Sequence, residues 1–562
     1  MKSWSLLIPV VTFIMLAACS GNKQNGASES GIASHIAPEK GEKQVEGYVF
    51  HDQNRNQEKD EGESGIAGVA VSNGTDVVVT DQQGHYGLPV GDDNPVFVIK
   101  PGNWMTPVNS LNLPRFYYLH KPGGSPKNFK YRGVSPTGPL PERVNFPLHR
   151  HDESPQFRFA VLGDPQPYSS REVDYFAEDI VSELIASDNL SFGITMGDIV
   201  GDTLPLFREV NQAVAQVGIP WYHVMGNHDI NYQAASDKMS DETFERVYGP
   251  ATYAFVYGRA HFIILDDIIH EAKSGSREYV GGLRDDQLKF VKNYLQTVPK
   301  DHLIVLNMHI PLAREGDRFR QEDQQRLFDL LGDYPHTLSI SAHTHVQDNL
   351  FFHRDSSRWR QAKPHHHYNV GTTSGSWWTG IKGETNIPHT MMRDGTPNGY
   401  AVLTIRNNDY TIDWKVAGSG SSHRMNIYVP RDLAEGSTAD KNFTVNFFNG
   451  TQQSRVRYRI NKTGQWQSMQ KVNRVDPFYA KLNRRWNNFR KLGLRERWKQ
   501  ATEQTGFPLP GEDLPQPQAS THLWTGELPG NLPSGSHTLE VEVSDRYGRT
   551  FTGKKVIRID AQ

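Results

Sequence analysis

A single cysteine, Cys19, stands among the 562 residues of the chain, which excludes a disulfide-stapled scaffold. Only one apolar run, at the extreme N-terminus, is long enough to consider as a membrane element, so a polytopic membrane protein is excluded too. Charge of one sign is also scarce. Sixty Lys and Arg nearly balance 63 Asp and Glu, and a net charge of −3 gives no global field to recruit nucleic acid or an anionic membrane. No nucleic-acid-binding signature is present. What the chain does have is 10% aromatic residues, ample core material against a disordered reading. Its length corresponds to roughly three or four domains of about 150 residues.

Met1-Lys2-Ser3-Trp4 is a short basic start, followed by an apolar run of about 13 residues, Leu6 to Ala18, the size of a signal core and short for a bilayer span. The run ends Leu16-Ala17-Ala18-Cys19. This start resembles a bacterial lipoprotein signal, and the resemblance implies that cleavage leaves Cys19 as the lipid-modified first residue. Attachment would explain why the only thiol sits there, since a free thiol is a liability in an oxidising compartment. With Ser20 as the next residue, the resemblance implies a lipid-anchored protein of the cell envelope, at the outer membrane of a Gram-negative bacterium. Signal peptide is therefore expected over 1–19 and a flexible, polar linker over 20–44.

Residues 45–152 read as a β module. Gly47-Tyr48-Val49-Phe50, Val77-Val78-Val79-Thr80 and Pro95 to Lys100 are short strands, with turn signals at Asn73-Gly74 and Asp81 to Gly84. Between the first strands, Asp52, Asn54, Asn56, Asp60 and Glu63 place oxygen ligands at positions 1, 3, 5, 9 and 12 of a loop, a spacing suited to calcium. Position 6 is Gln57 in place of glycine, and strands flank the loop in place of helices. Adjoining Gly65-Ile66-x-Gly68-Val69, the loop resembles the calcium-binding loops of prealbumin-like bacterial surface modules. A structural calcium and a solvated polar hairpin loop both remain open at this point.

From about residue 153 apolar strands alternate with amphipathic helices. Val173, Phe176, Ala177, Ile180, Val181, Leu184 and Ile185 give one buried helical face, and Leu288, Val291, Leu295 and Val298 give another that stops at Pro299. Five apolar strands each end in a polar cluster. Phe159 to Leu162 leads to Gly163-Asp164-Pro165-Gln166, Phe192 to Met196 to Gly197-Asp198, and Trp221 to Met225 to Gly226-Asn227-His228-Asp229. Leu303 to Met308 leads to His309, and Thr337 to Ala342 to His343-Thr344-His345. Carboxyl ends of strands in an α/β sheet converge on one crevice. The carboxylates, amides and imidazoles gathered there form a mixed ligand set suited to divalent transition ions.

The order and wording of these clusters resemble the calcineurin-like metallophosphoesterases over roughly residues 155 to 350, in a subgroup of bacterial lipoproteins with β modules on both sides of the catalytic domain. The resemblance implies one ion on Asp164, Gln166 and His345, another on Asn227, His309 and His343, and Asp198 bridging both. The ions, manganese, iron or zinc, would share a hydroxide that attacks phosphorus, with His228 protonating the leaving oxygen. Gln166 stands where the family has histidine. In many members an aspartate three residues after the bridging one orients the catalytic histidine; here Gly201 holds that place and Asp202 follows, a candidate for the orienting role. Gly201 also speaks against the tyrosinate-bound ferric site of purple acid phosphatases.

Beyond the ligands, Trp377 and Trp378 are candidates to stack on a sugar or base and Arg393 to pair with a phosphate oxygen. His365-His366-His367 reads as a solvated loop. Strands around 400–405 and 410–414 finish the second sheet of the catalytic domain. Alternation in 538–543 and 556–559 closes a module that resembles an immunoglobulin-like sandwich. A basic helical segment, Phe478 to about Thr505, is inserted in it, with Arg484, Arg485, Arg490, Lys491, Arg495, Arg497 and Lys499 around Trp486, Phe489 and Trp498. The expected fold is thus α+β and multidomain: a four-layer α/β/β/α metallophosphoesterase sandwich over 153–418, the N-terminal β module, and a C-terminal immunoglobulin-like sandwich over 419–562. The expected function is metal-dependent hydrolysis of phosphate monoesters or diesters. The alternative is a non-catalytic lipoprotein binding glycans or partners on a phosphoesterase scaffold.

Overall fold

The computed structural model describes residues 31–40, 42–271, 278–312, 319–380, 382, 385–388, 390–420, 422–430, 442–491 and 514–561, with backbone alone at 489 and 490. Cys19, the signal segment and linker residues 20–30 lie outside the described residues, as do Arg495, Arg497, Trp498 and Lys499. Among the described residues no helix is long and apolar enough to cross a membrane.

Two sheets face each other at the centre. The first has the spatial order Trp221–Val224, Phe192–Met196, Gln156–Leu162, Gly399–Arg406, Asp409–Val416. Its first three strands are parallel and the last two return antiparallel. The second has the order Tyr253–Tyr257, Ala260–Ile264, Leu303–Asn307, Thr337–Ser341, His365–Asn369, Asp348–Phe352, with four parallel strands between antiparallel edges. Near-continuous apolar runs such as Leu303-Ile304-Val305-Leu306 suit strands covered on both faces. An aromatic layer joins the sheets. Phe159 stacks on Phe192 at 5.0 Å and meets Phe262 edge-on at 5.2 Å, while Tyr222 stacks on Phe255 at 3.8 Å.

The sequence patterning needs three corrections here. The helix beginning at Ser170 passes through a π turn, Ala177–Val181, in which the Ser182 amide donates to the Ala177 carbonyl. The wide turn rotates the final residues, and Ile185 is 55% exposed although its spacing assigned it to the buried face. The second helix, Asp285–Leu295, ends before Pro299, leaving Val298 buried beyond it. The His365-His366-His367 run is no solvated loop but a buried inner strand. His365 lies 2.8 Å from both Thr337 Oγ1 and Ser339 Oγ, and His367 lies 2.6 Å from Ser339 Oγ and 2.8 Å from Ser341 Oγ.

The N-terminal module consists of two four-stranded sheets. One contains Lys43–His51 between His85–Val90 and Phe146–Arg150, and the other is antiparallel and includes Asn94–Val98 and Tyr117–His120. The expected linker is partly ordered, because Ser34 is buried and the Ile36 and Gly87 amides pair with the Gly87 and Ser34 carbonyls at 3.0 and 2.9 Å. The module's apolar core continues into the central domain. Phe97 meets Phe290 at 5.6 Å, and buried Lys100 pairs with Glu153 at 2.6 Å while donating to the Val256 carbonyl. Two antiparallel four-stranded sheets form the C-terminal module around a core of their own, with the helix Pro477–Lys491 inserted.

Candidate metal centre

All seven expected ligands sit where the carboxyl ends of the two sheets meet. Five of them, Asp164, Gln166, Asp198, His343 and His345, have positive φ, between 36° and 69°. Left-handed backbone at non-glycine residues costs energy and clusters at functional sites. Two glycines make the crossing possible. A Cβ on Gly226 would lie 2.1 Å from the Asp198 nitrogen, and one on Gly197 would lie 2.4 Å from the His309 ring.

His309 Nδ1 donates to the Met196 carbonyl at 2.8 Å, which turns the other ring nitrogen inward. That Nε2 lies 3.3 Å from Asp198 Oδ2, 3.1 Å from Asn227 Oδ1 and 3.2 Å from His343 Nδ1. Ligand atoms of Asp198, His309 and His343 all fall within 4.8 Å of one another. Acceptors crowding one lone pair need a cation among them. The same field appears in protonation. Burial works against charge on His309, yet Asp198 and Asp164 outweigh it and lift its pKa to about 10. Burial and the His309 charge push His343 down to about 3, the neutral form that ligates.

Beside this cluster lies a second. His345 Nδ1 donates to the Gly375 carbonyl at 2.8 Å, and its Nε2 lies 3.6 Å from Asp164 Oδ2. Asp164 Oδ2 and Gln166 Oε1 are buried without a hydrogen-bond partner. Burial pushes the Asp164 carboxyl up to about 8, so its charged form requires a neighbouring cation. Asp198 reaches both clusters, since its Oδ2 also lies 3.4 Å from Gln166 Nε2. Burial opposes its charge, but His309, His228 and His343 hold its pKa below the usual carboxylate range. The donor set fits two divalent ions, and the amide of Gln166 fits as an oxygen ligand.

His228 stands at the rim with its side chain 23% exposed, and its Nδ1 is 2.8 Å from Asp202 Oδ1. Burial lowers its basicity, but Asp198 and the Asp202 hydrogen bond raise the pKa to about 9. Gly201 is small for a local reason: a Cβ there would lie 2.6 Å from the Tyr168 ring.

Three profiles of one family match this chain in sequence order. They are the N terminal of calcineurin-like phosphoesterase over residues 53–134, the calcineurin-like phosphoesterase itself over 157–347, and its C terminal over 367–551. The chain belongs to the calcineurin-like phosphoesterases. It is a metal-dependent phosphoester hydrolase. A comparison with curated proteins found no match. Among solved structures it is similar to the purple acid phosphatase PPD1 of yellow lupin (Lupinus luteus), at 10% identity over 68% of each chain with a TM-score of 0.35. It is also similar to PhoD, at 12% identity over 78% of this chain and 86% of that one, with a TM-score of 0.34.

Of the expected substrate groups in this phosphoesterase, two reach the rim. Trp377 stacks on His345 at 4.0 Å, and Arg393 donates to the Thr344 carbonyl at 2.8 Å with its guanidinium 5.8 Å from the Trp377 ring. Trp378 does not: it is 3% exposed, and its indole N–H donates to the Pro165 carbonyl at 2.8 Å. It packs under the loop carrying Asp164 and Gln166, so stacking on substrate is excluded. Two carboxylates hold the candidate ligands from behind: Asp229, which closes the third cluster but was given no role there, and Asp267, which lies outside the five clusters. Asp229 accepts from the Ile199, Val200 and Gly226 amides at 2.9–3.2 Å, tying two ligand loops together. Asp267 accepts from the His309 and Ile310 amides, both at 2.9 Å. Asp267 ends the run Phe262 to Leu265, the same strand-end signal that marked the ligands.

Proposed function

We propose that the protein is an extracytoplasmic hydrolase of phosphate mono- or diesters, anchored to the outer membrane through Cys19 and working with two ions of manganese, iron or zinc. The observation that carries the catalytic reading is the buried, acceptor-rich pair of clusters, with Asp198 in contact with both. Two ions held there would supply an activated water near neutral pH and positive charge for the phosphoryl oxygens.

The chain's own groups do the rest. Asp202 accepts from His228 Nδ1, leaving the other ring nitrogen to carry the proton for the departing oxygen. Arg393 sets a positive charge beside His345, placed to pair with a phosphoryl oxygen. Trp377 forms one apolar wall, and Tyr168, 41% exposed and 6.1 Å from the His228 ring, forms another for the leaving group. In the same reading the C-terminal sheets form an immunoglobulin-like sandwich.

Hydrolysis of paired aryl monoester and diester substrates with Mn²⁺, Zn²⁺, Fe²⁺ or EDTA tests the catalytic part. Metal-restored turnover supports it, and the substrate ratio names the ester class. No turnover with any ion contradicts it. Palmitate incorporation that is lost in Cys19→Ser supports the anchor, and incorporation that persists contradicts it.

A further inference from the structure

We propose that the loop from Asp52 to Glu63 in the N-terminal module binds one calcium ion, at a site separate from the transition-metal centre and structural in role. The loop leaves the strand Lys43–His51 and is pinned at both ends. The Asp52 amide donates to the Leu148 carbonyl and the His51 amide to the Ser64 carbonyl, both at 2.9 Å, while Phe50 bridges Gly65.

Asp52 carries the argument. It is only 2% exposed, and its Oδ2 accepts from the Gln57 amide at 3.0 Å, which turns the carboxylate into its own loop. Its Oδ1 is buried with no hydrogen-bond partner. A buried, half-satisfied carboxylate is costly unless a cation completes it. The other four oxygen-bearing side chains gather around the same loop. Asn54 and Asn56 both donate to Asp60 Oδ2, at 2.7 and 2.8 Å, and Glu63 accepts from the Gln53 and Asp60 amides at 2.8 and 3.1 Å.

The five positions thus carry three carboxylates, and among the described residues no Lys, Arg or His lies in an ion pair with Asp52, Asp60 or Glu63. The nearby ammonium of Lys59 goes to the Glu63 carbonyl instead, at 2.8 Å. Lack of glycine at the sixth position is no obstacle, because Gln57 itself adopts φ 68°. An all-oxygen set selects a hard ion, whereas the imidazoles of the catalytic centre select transition metals, so the two sites sort ions by donor chemistry. With three charged and two neutral side-chain donors, binding in the range of about 10⁻⁴–10⁻³ M is expected, as in extracellular modules. The ion would fasten the end of a strand that pairs with both of its neighbours in the sheet.

The test is calcium titration of the full-length protein, with its catalytic centre already loaded with zinc, followed by calorimetry and by terbium luminescence. Wild type is expected to take up one calcium, to melt several degrees higher with it, and to hydrolyse at an unchanged rate. Asp52→Asn and the less buried Asp60→Asn should each weaken binding at least tenfold and abolish the calcium-dependent rise, with hydrolysis retained as the sign of an intact fold. Absence of calcium uptake by wild type, or uptake unchanged in both variants, overturns the proposal. Should Asp52→Asn fail to fold, Asp60→Asn alone decides.

Discussion

His228 shares Nδ1 with Asp202 at 2.8 Å, and this contact decides which ring nitrogen faces the chemistry. Replacing His228 with Asn is expected to lower kcat by about 10²–10⁴-fold with KM little changed, since it removes a proton donor acting in the transition state. The loss should be smaller for esters with acidic leaving groups, which need little protonation. Asp202→Ala should cost about 10–100-fold through a misplaced ring. Metal content measured alongside should stay at wild-type stoichiometry in both variants, and a lost ion would mean that these residues hold the metals. At this scale the residues that converge on the candidate metal centre were legible because each follows an apolar strand within a few positions. Trp378 was not, because a tryptophan beside a glycine-rich turn reads the same whether it faces substrate or a backbone carbonyl. The Tyr168 ring over Gly201 was hidden too, since nothing in the spacing of 168 and 201 announces that they touch.

At the scale of elements, the strand His365–Asn369 joins the core to the ligand loop through hydrogen bonds of fixed direction. The Val346 carbonyl can only accept, so Asn369 Nδ2 donates to it at 2.8 Å and to Thr344 Oγ1 at 2.7 Å, and Asn369 Oδ1 must accept from Ser341 at 2.9 Å. Ser341 then accepts from His367 Nε2, Ser339 donates to His367 Nδ1, and the pattern repeats through His365 to Thr337. Both imidazoles are therefore neutral Nε2–H tautomers, in accord with burial pushing each down to about 3. Their folded pKa lies below the unfolded 6.5, so the unfolded chain binds more protons between these values and stability falls as pH falls through that window. About 2 kcal/mol per histidine is expected to be lost between pH 7 and 5. Melting followed over that range should slope less in His365→Gln, and an unchanged slope would contradict the neutral assignment. Ser341→Ala orphans a buried N–H and an amide oxygen, and should cost about 1–3 kcal/mol of stability while loosening metal binding through Thr344, read by unfolding and by zinc titration. The run of three histidines concealed this strand. The clue lay opposite, in Thr337, Ser339 and Ser341, hydroxyls at alternate positions that line one face of the adjacent strand.

Across the whole molecule, the C-terminal module buttresses the rim of the metal centre. His522 Nε2 meets Asp394 Oδ2 at 3.1 Å, both side chains 1% exposed, and the Gln518 amide donates to the Arg393 carbonyl at 2.9 Å. Burial opposes charge on Asp394, but the His522 hydrogen bond holds its pKa below the usual range. His522→Ala leaves that buried carboxylate with only the Gln347 and Thr396 amides as donors, at a cost of about 1–3 kcal/mol. Because Arg393 is the neighbouring residue, KM for phosphate esters should rise as well; melting and steady-state kinetics check the two effects, and normal values for both would show the module to be a passenger. Composition alone could not reveal this contact, which joins residues 128 positions apart. Order along the chain was legible because strand-rich segments lie on both sides of the alternating pattern. In the proposed reading, buried acceptors around Asp198 hold two ions that the reaction requires. The most direct measurement is metal content and phosphoester turnover of wild type and Asp198→Asn, side by side after reconstitution. Two ions and turnover are expected for wild type, with turnover lost and at least one ion released in Asp198→Asn. Full turnover by a variant lacking one or both ions would contradict that reading.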